Sequence, residues 1–286
     1  MIDYENQRKL VVVFILAVIL TVIFTIIALV FIWIPDNKEV EQKFEVGKIE
    51  RPDSSEQAVV ENYYKQLYIL FLNKDLDAIY DLVGKDYLEY YKYDKQQLLN
   101  MLEEKNVFSR GLELVQYKTY VLQGYNNIYE FDLKVKNEAY SINVVLREKS
   151  PNNYTVAFDG FIDYDKSTYT ATLNSIKLDI AERIRYTNSV QYEFKLTNNY
   201  NKTVKINEGG TGNPVILVNS SGASKRPIMS TLNAAEITIY SKETRNFTVV
   251  FDIEDTYDYV TYNMLVLKNS QFEGMQGSSN LEFTLK

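Results

Sequence analysis

With neither histidine nor cysteine in its 286 residues, this chain would have to rest acid–base chemistry near neutral pH on carboxylates and tyrosines. Tyr63, Tyr64, Tyr68 and Tyr80 lie at helical spacing and could act as oxyanion donors beside a carboxylate base. The same two absences remove Ser-His-Asp and Cys-His nucleophiles, histidine and thiolate zinc sites, and disulfides. Tyrosines at this spacing usually pack the ring and leave the hydroxyl wet, and no Asp matches the catalytic motif of such carboxylate-and-tyrosine enzymes. The expectation is a protein that is not an enzyme, with no catalytic, cofactor-binding or metal-ligating residues and no cofactor.

Two acidic clusters have the oxygen-rich character of hard-cation loops: Asp159, Asp163 and Asp165, and further on Asp252, Glu254, Asp255 and Asp258. Neither has the glycine and terminal glutamate of an EF-hand, so solvated loop charge is the expectation. The stretch NEGGTGNP, Asn207 to Pro214, lacks the Gly-Lys-Ser/Thr ending of a phosphate loop and precedes no helix, which leaves a hairpin connection. A net charge of −7 without any Lys- or Arg-rich stretch argues against a nucleic-acid partner.

The elements that would position these residues fall into two groups. Ser54 to Gln57 reads as an S-x-x-Q capping box opening a helix whose apolar positions, Val60, Tyr63, Tyr64, Leu67, Leu70 and Phe71, follow a 3.6-residue period. The polar break Asn73-Lys74-Asp75 separates it from a short second helix that Gly84 would close in a left-handed conformation. A third helix is expected over 94–105. Beyond Gly111 the period drops to two, predicting strands over 112–123, 127–136, 139–148 and 153–162.

Residues 54–163, on the strength of AVVENYYKQLYILFLNKDLDAIYDLVGKDY and the strand order, resemble the nuclear-transport-factor-2-like (cystatin-like cone) superfamily. That resemblance implies three helices packed into a curved four-stranded antiparallel sheet, with Tyr64, Leu67, Phe71 and Phe131 lining the cone pocket. Residues 168–286 form about eight alternating runs and resemble bacterial immunoglobulin-like sandwiches in VQYEFKLTNNYNKTVKIN and SKETRNFTVVFDI, without the paired cysteines and strand tryptophan of antibody domains.

Ahead of both, residues 10–34 run for 25 positions interrupted only by Thr21 and Thr25. As a helix they would reach roughly 37 Å, enough to cross a ~30 Å hydrocarbon core. The run closes on Ile32-Trp33-Ile34-Pro35 rather than on small residues, so an uncleaved signal anchor is expected, with Arg8 and Lys9 on its cytoplasmic side. Residues 1–9 would be a cytoplasmic tail and 35–53 a charged stalk. Richness in Asn, Lys, Ile and Tyr points to an AT-rich Gram-positive bacterium.

The expected fold class is therefore an α+β cone domain of three helices on a four-stranded sheet, plus an all-β immunoglobulin-like sandwich, preceded by one transmembrane helix. The expected function is a bitopic, single-pass scaffold or assembly protein of the envelope, its C-terminal domains extracytoplasmic. Its partners would be the membrane, other envelope proteins and, if it self-associates, further copies of itself. By architecture it resembles the cone-domain assembly factors of conjugation and type IV secretion machinery. The alternatives are a binding module for a small apolar ligand or cell-wall fragment and, further off, an isomerase-like enzyme.

Overall fold

A computed structural model describes residues 54–285, apart from 109–111, 123, 136–140, 167–168, 232–234 and 255–260. Its first helix, α1 (Ser54–Asn73), stops where Lys74 turns left-handed at φ 52, and the Lys74 and Asp75 N–H groups donate back to the Phe71 and Leu70 carbonyls. Asp75 then caps α2 (Leu76–Leu82), its carboxylate accepting the Ala78 N–H at 3.2 Å. The polar break is thus a helix end and a helix start made from adjacent residues.

Gly84 does not end α2 in a left-handed conformation, as its sequence position suggests. Its backbone is extended (φ −61, ψ 133), and it opens a further helix, α3 (Lys85–Tyr91). After it comes α4 (Lys95–Glu104), started by a complete capping box between Asp94 and Gln97.

Four strands follow: β1 (Leu112–Tyr120), β2 (Asn127–Val135), β3 (Ser141–Ser150) and β4 (Asn153–Phe158). They pair in that order as an antiparallel meander, with a bulge at Val115 of β1. Strand alternation places Phe131, Leu133, Ile142, Val144 and Leu146 on the face that packs against Leu67, Phe71, Ile79, Tyr87, Leu98 and Leu102 of the helices. Burying these side chains is the main stabilisation, each contributing about 1.5–3 kcal/mol relative to exposure.

The run 153–162 is not one strand. Asp159 and Gly160 both take positive φ (58 and 73), and the chain leaves the first sheet there. β5 (Phe161–Asp165) pairs instead with β7 (Ile176–Tyr186), which also pairs with β6 (Thr170–Leu173) and β8 (Ser189–Asn198).

The next strands are β9 (Val204–Ile206), β10 (Val215–Val218), β11 (Ser224–Lys225), β12 (Pro227–Ser230), β13 (Ile237–Ile239), β14 (Thr244–Asp252), β15 (Met264–Phe272) and β16 (Ser279–Thr284). One six-stranded sheet runs β12-β14-β8-β7-β5 with β6 beside β7; the other runs β11-β10-β15-β9-β13 with β16 beside β15. Their inner faces share one core that includes Leu178, Phe194, Phe251, Leu217, Leu267 and Phe283, so the two sheets form a sandwich.

Two parts of the expected fold class are corrected. Among the described residues there are four helices rather than three, and the body is mostly β, sixteen strands in three antiparallel sheets. None of these helices is long and apolar enough to cross a membrane. The longest, α1, carries Glu56, Glu61 and Lys65 along its 20 residues and is a core-packing helix. The transmembrane helix, signal anchor and bitopic membrane layout therefore have no helix to carry them among the described residues; residues 10–34 and the stalk lie outside those.

Candidate functional site

The structure brings Leu67, Phe71 and Phe131 together inside the helical core, each 1% exposed or less. Tyr64 packs at the edge of that core, its hydroxyl donating to the Leu112 carbonyl at 2.8 Å and its ring 6.2 Å from that of Tyr68. Burial, then the neighbouring Tyr68 and Glu113, raise its pKa, so it stays a neutral donor. Tyr63 packs on Tyr154 with ring centroids 5.1 Å apart, and Tyr80 lies under the Lys95 ammonium. The tyrosines singled out in the sequence therefore line the core margin with their rings.

The polar groups that converge most tightly lie elsewhere, at the junction of α3, β3, β5 and β7. On β3 the alternation points Arg147 away from the helical core, yet the side chain is fully buried. Asp86, in the first turn of α3, takes a bidentate pair from its Nη1 and Nη2, each at 2.9 Å, and the Ile162 carbonyl of β5 takes a third bond from Nη1 at 2.5 Å. The guanidinium carbon lies 5.6 Å from the Phe161 ring centroid. Gly84 is required here because a Cβ at that position would collide with Arg147 Nη2 and Asp86 Oδ1. Burial by itself would raise the Asp86 pKa; the charge and hydrogen bonds of Arg147, with Lys149 behind them, outweigh it and hold the carboxyl below its ordinary value.

Two further carboxylates extend the junction. Asp163 of β5 accepts from Arg185 Nε at 2.7 Å and Nη2 at 2.5 Å, and from the Tyr125 hydroxyl at 3.0 Å. Glu130 of β2 accepts from Tyr120 at 2.5 Å, Asn143 at 2.8 Å and Thr187 at 2.6 Å. Burial foremost, and then these carboxylates, raise the pKa values of Tyr120 and Tyr125, fixing both hydroxyls as donors. At this junction a carboxylate beside a tyrosine hydroxyl thus occurs twice, and in each case the carboxylate is already met by other donors.

The first acidic cluster does not converge on a point. Asp159 pairs with Lys105 at 2.6 Å, Asp163 with Arg185, and Asp165 with Arg183 at 3.4 Å. In the second cluster Asp252 is exposed and Glu254 lies 3.8 Å from Lys225, while Asp255 and Asp258 are outside the described residues. Among the described residues no group of three or more such ligands could hold a metal ion. The NEGGTGNP stretch is pinned as a connection between β9 and β10: Asn207 Nδ2 donates to the Ala235 carbonyl at 2.7 Å, and the Gly209 N–H to Glu236 at 3.1 Å.

Arg147, Asp86, Asp163 and Glu130 carried no signal in the sequence as a set. Arg147 stands at a solvent-facing position of an alternating strand, and only the approach of α3 and β5 buries it. No family model, curated protein or solved structure matches this chain.

Proposed function

We propose that this chain is a non-catalytic scaffold or assembly subunit of the bacterial envelope that works through protein–protein contacts, residues 54–286 lying outside the cytoplasm. The observation that carries the proposal is the junction: its three carboxylates, Asp86, Asp163 and Glu130, are met by Arg147, Arg185 and the Asn143 and Thr187 side chains. A general base needs a lone pair aimed at a substrate. These lone pairs instead tie helices, first sheet and sandwich into one body, which suits a part whose task is to hold surfaces at a fixed spacing. The extracytoplasmic placement rests on the sequence alone, on the apolar run 10–34 behind Arg8 and Lys9. The resemblance to conjugation and type IV secretion assembly factors suggests a setting of that kind.

Exposed apolar side chains mark strands from which contacts could be made: Val115 at the bulge of β1, and Ile228 and Met229 on β12, each more than half exposed. Both strands lie at a sheet edge, where unpaired backbone invites a partner. The test is photo-cross-linking in living cells from Val115 and from Ile228 of the full chain. Discrete adducts with one or two envelope proteins in stoichiometric yield are expected, and the carboxyl half should be digested by protease added to intact cells. Absence of any adduct, or turnover of a metabolite by the purified chain, would count against the proposal.

A further inference from the structure

The sandwich holds an open cleft of about 340 Å³, walled by the Asn174-Ser175 turn between β6 and β7, by Tyr200 after β8, and by the β15–β16 connection with Met275, Gln276 and Gly277. That volume is at the lower end of the ~300–1,000 Å³ typical of small-molecule sites.

Its walls are fixed before any ligand arrives. Asn174 and Ser175 both hold positive φ (46 and 69), and the Ser175 carbonyl accepts the Asn199 N–H at 2.7 Å. Tyr200 is held at both ends, its N–H donating to Asn198 Oδ1 at 2.9 Å and its hydroxyl to the Glu273 carbonyl at 3.3 Å. Its ring meets that of Phe272 edge-on, at 5.5 Å and 83°. In the β15–β16 connection, Gly277 takes φ 81 and the Met275 N–H donates to the Phe272 carbonyl at 2.9 Å.

The chemistry of the lining selects the ligand. It offers the amides of Asn174 and Gln276, the hydroxyls of Ser175, Ser278 and Ser279, and the aromatic rings of Tyr200 and Phe272, with no charged side chain among them; the Ser270 hydroxyl, also in the lining, is spent on the Leu267 carbonyl. A phosphate or carboxylate would find no cation among the lining side chains, the Lys202 ammonium lying beside Gly274 rather than in the lining. A purely apolar ligand would leave the Ser175, Ser278 and Ser279 hydroxyls and two amides of the lining without water. What fits is a neutral molecule dense in hydroxyl or amide groups that also presents a C–H face to the electron-rich face of an aromatic ring.

We propose that this cleft binds a neutral carbohydrate, a short stretch of glycan whose ring lies on Tyr200 and whose hydroxyl or acetamido groups bond to Asn174, Gln276 and the surrounding serines. The proposal goes beyond the scaffold function and does not rest on it.

The test is titration of the purified full-length chain, by calorimetry and by ligand-observed saturation-transfer NMR. The neutral probes are chitotriose and cellotriose, with a galacturonic acid trimer as the charged control. Saturable binding of at least one neutral trimer is expected, with the uronic acid trimer at least about tenfold weaker.

Asn174→Gly keeps the positive φ while deleting the amide, and Gln276→Ala alters an exposed loop side chain. Each should weaken binding about tenfold without moving the melting temperature, as loss of one good hydrogen bond predicts. Tyr200→Ala should abolish binding; were that variant to unfold, the other two carry the test. No saturation by either neutral trimer, equal binding of the charged trimer, or affinity unchanged in both Asn174→Gly and Gln276→Ala would overturn the proposal. Cross-links from Val115 and Ile228 should persist in all three variants, which keeps this outcome separate from the scaffold test.

Discussion

At the scale of single residues, the triplet Gly84, Asp86 and Arg147 concentrates the largest energetic stakes. A buried guanidinium is tolerable only while its partners are present, so Arg147→Met, which strands Asp86 and the Ile162 carbonyl, should destabilise the fold by about 3–5 kcal/mol in urea unfolding. Gly84→Ala should cost about 1–3 kcal/mol because the new methyl displaces that pair. The control is Gly124→Ala, where φ is 94 but nothing lies within 4 Å of the added carbon; it should lose only the ~1 kcal/mol of left-handed strain. Asp86 also sets an acid limit. Its folded pKa is depressed, so its contribution is complete above the unfolded value of 3.8 and disappears as pH falls through the lower folded value. The urea midpoint should therefore drop below about pH 4, and less steeply in Asp86→Asn. None of this was legible in the sequence. Gly84 reads as a helix terminator from its neighbours, and the side chain that demands a glycine there arrives from β3.

At the scale of elements, period and caps were read well where helices are long or capped. Asp94 and Gln97 bond reciprocally at 2.8 Å, and Asp94→Ala should lower stability by about 1 kcal/mol through loss of that box. α3 was missed because it is as short as α2 but lacks the cap that marks α2: Gly84 makes no side-chain cap bond, whereas Asp75 does. It exists because Tyr87 can bury its ring 4.8 Å from Tyr91, 5.3 Å from Phe161 of β5 and 5.9 Å from Phe158 of β4, an aromatic cluster assembled from three elements. Burial foremost raises the Tyr87 and Tyr186 pKa values, so the folded state holds their protons more tightly than the unfolded chain does. Their stabilisation is complete below the unfolded value of 10.0 and declines as pH rises above it, which alkaline urea titration of wild type against Tyr87→Phe should show as a shallower loss in the variant. Among strands, the hairpin between β6 and β7 is hard to see in the sequence because an Asn-Ser pair is a weaker signal than Asn-Gly, although both residues adopt positive φ.

At the scale of the whole described body, the composition of the two cores was legible but their connection was not. An alternating pattern continues unchanged when a chain crosses from one sheet to another, so VAFDGFI looks like a single strand, although Asp159-Gly160 carries β5 into the sandwich sheet. β7 then serves both cores: Ile176, Leu178 and Ile180 pack in the sandwich, and beyond a bulge Ile184 is buried with the helices. Fragments 54–166 and 167–286 should accordingly fail to fold alone, with the first lacking Ile184 and the second lacking β5. The most direct test is hydrogen exchange of the full chain in rising urea, comparing peptides from β2 (127–135) and β8 (189–198). Two cores locked through Arg147, Asp163 and Glu130 should lose protection at one common midpoint, and Arg147→Met should shift both together. Protection that persists in β8 after β2 has exchanged would contradict a single rigid body built to hold surfaces in place.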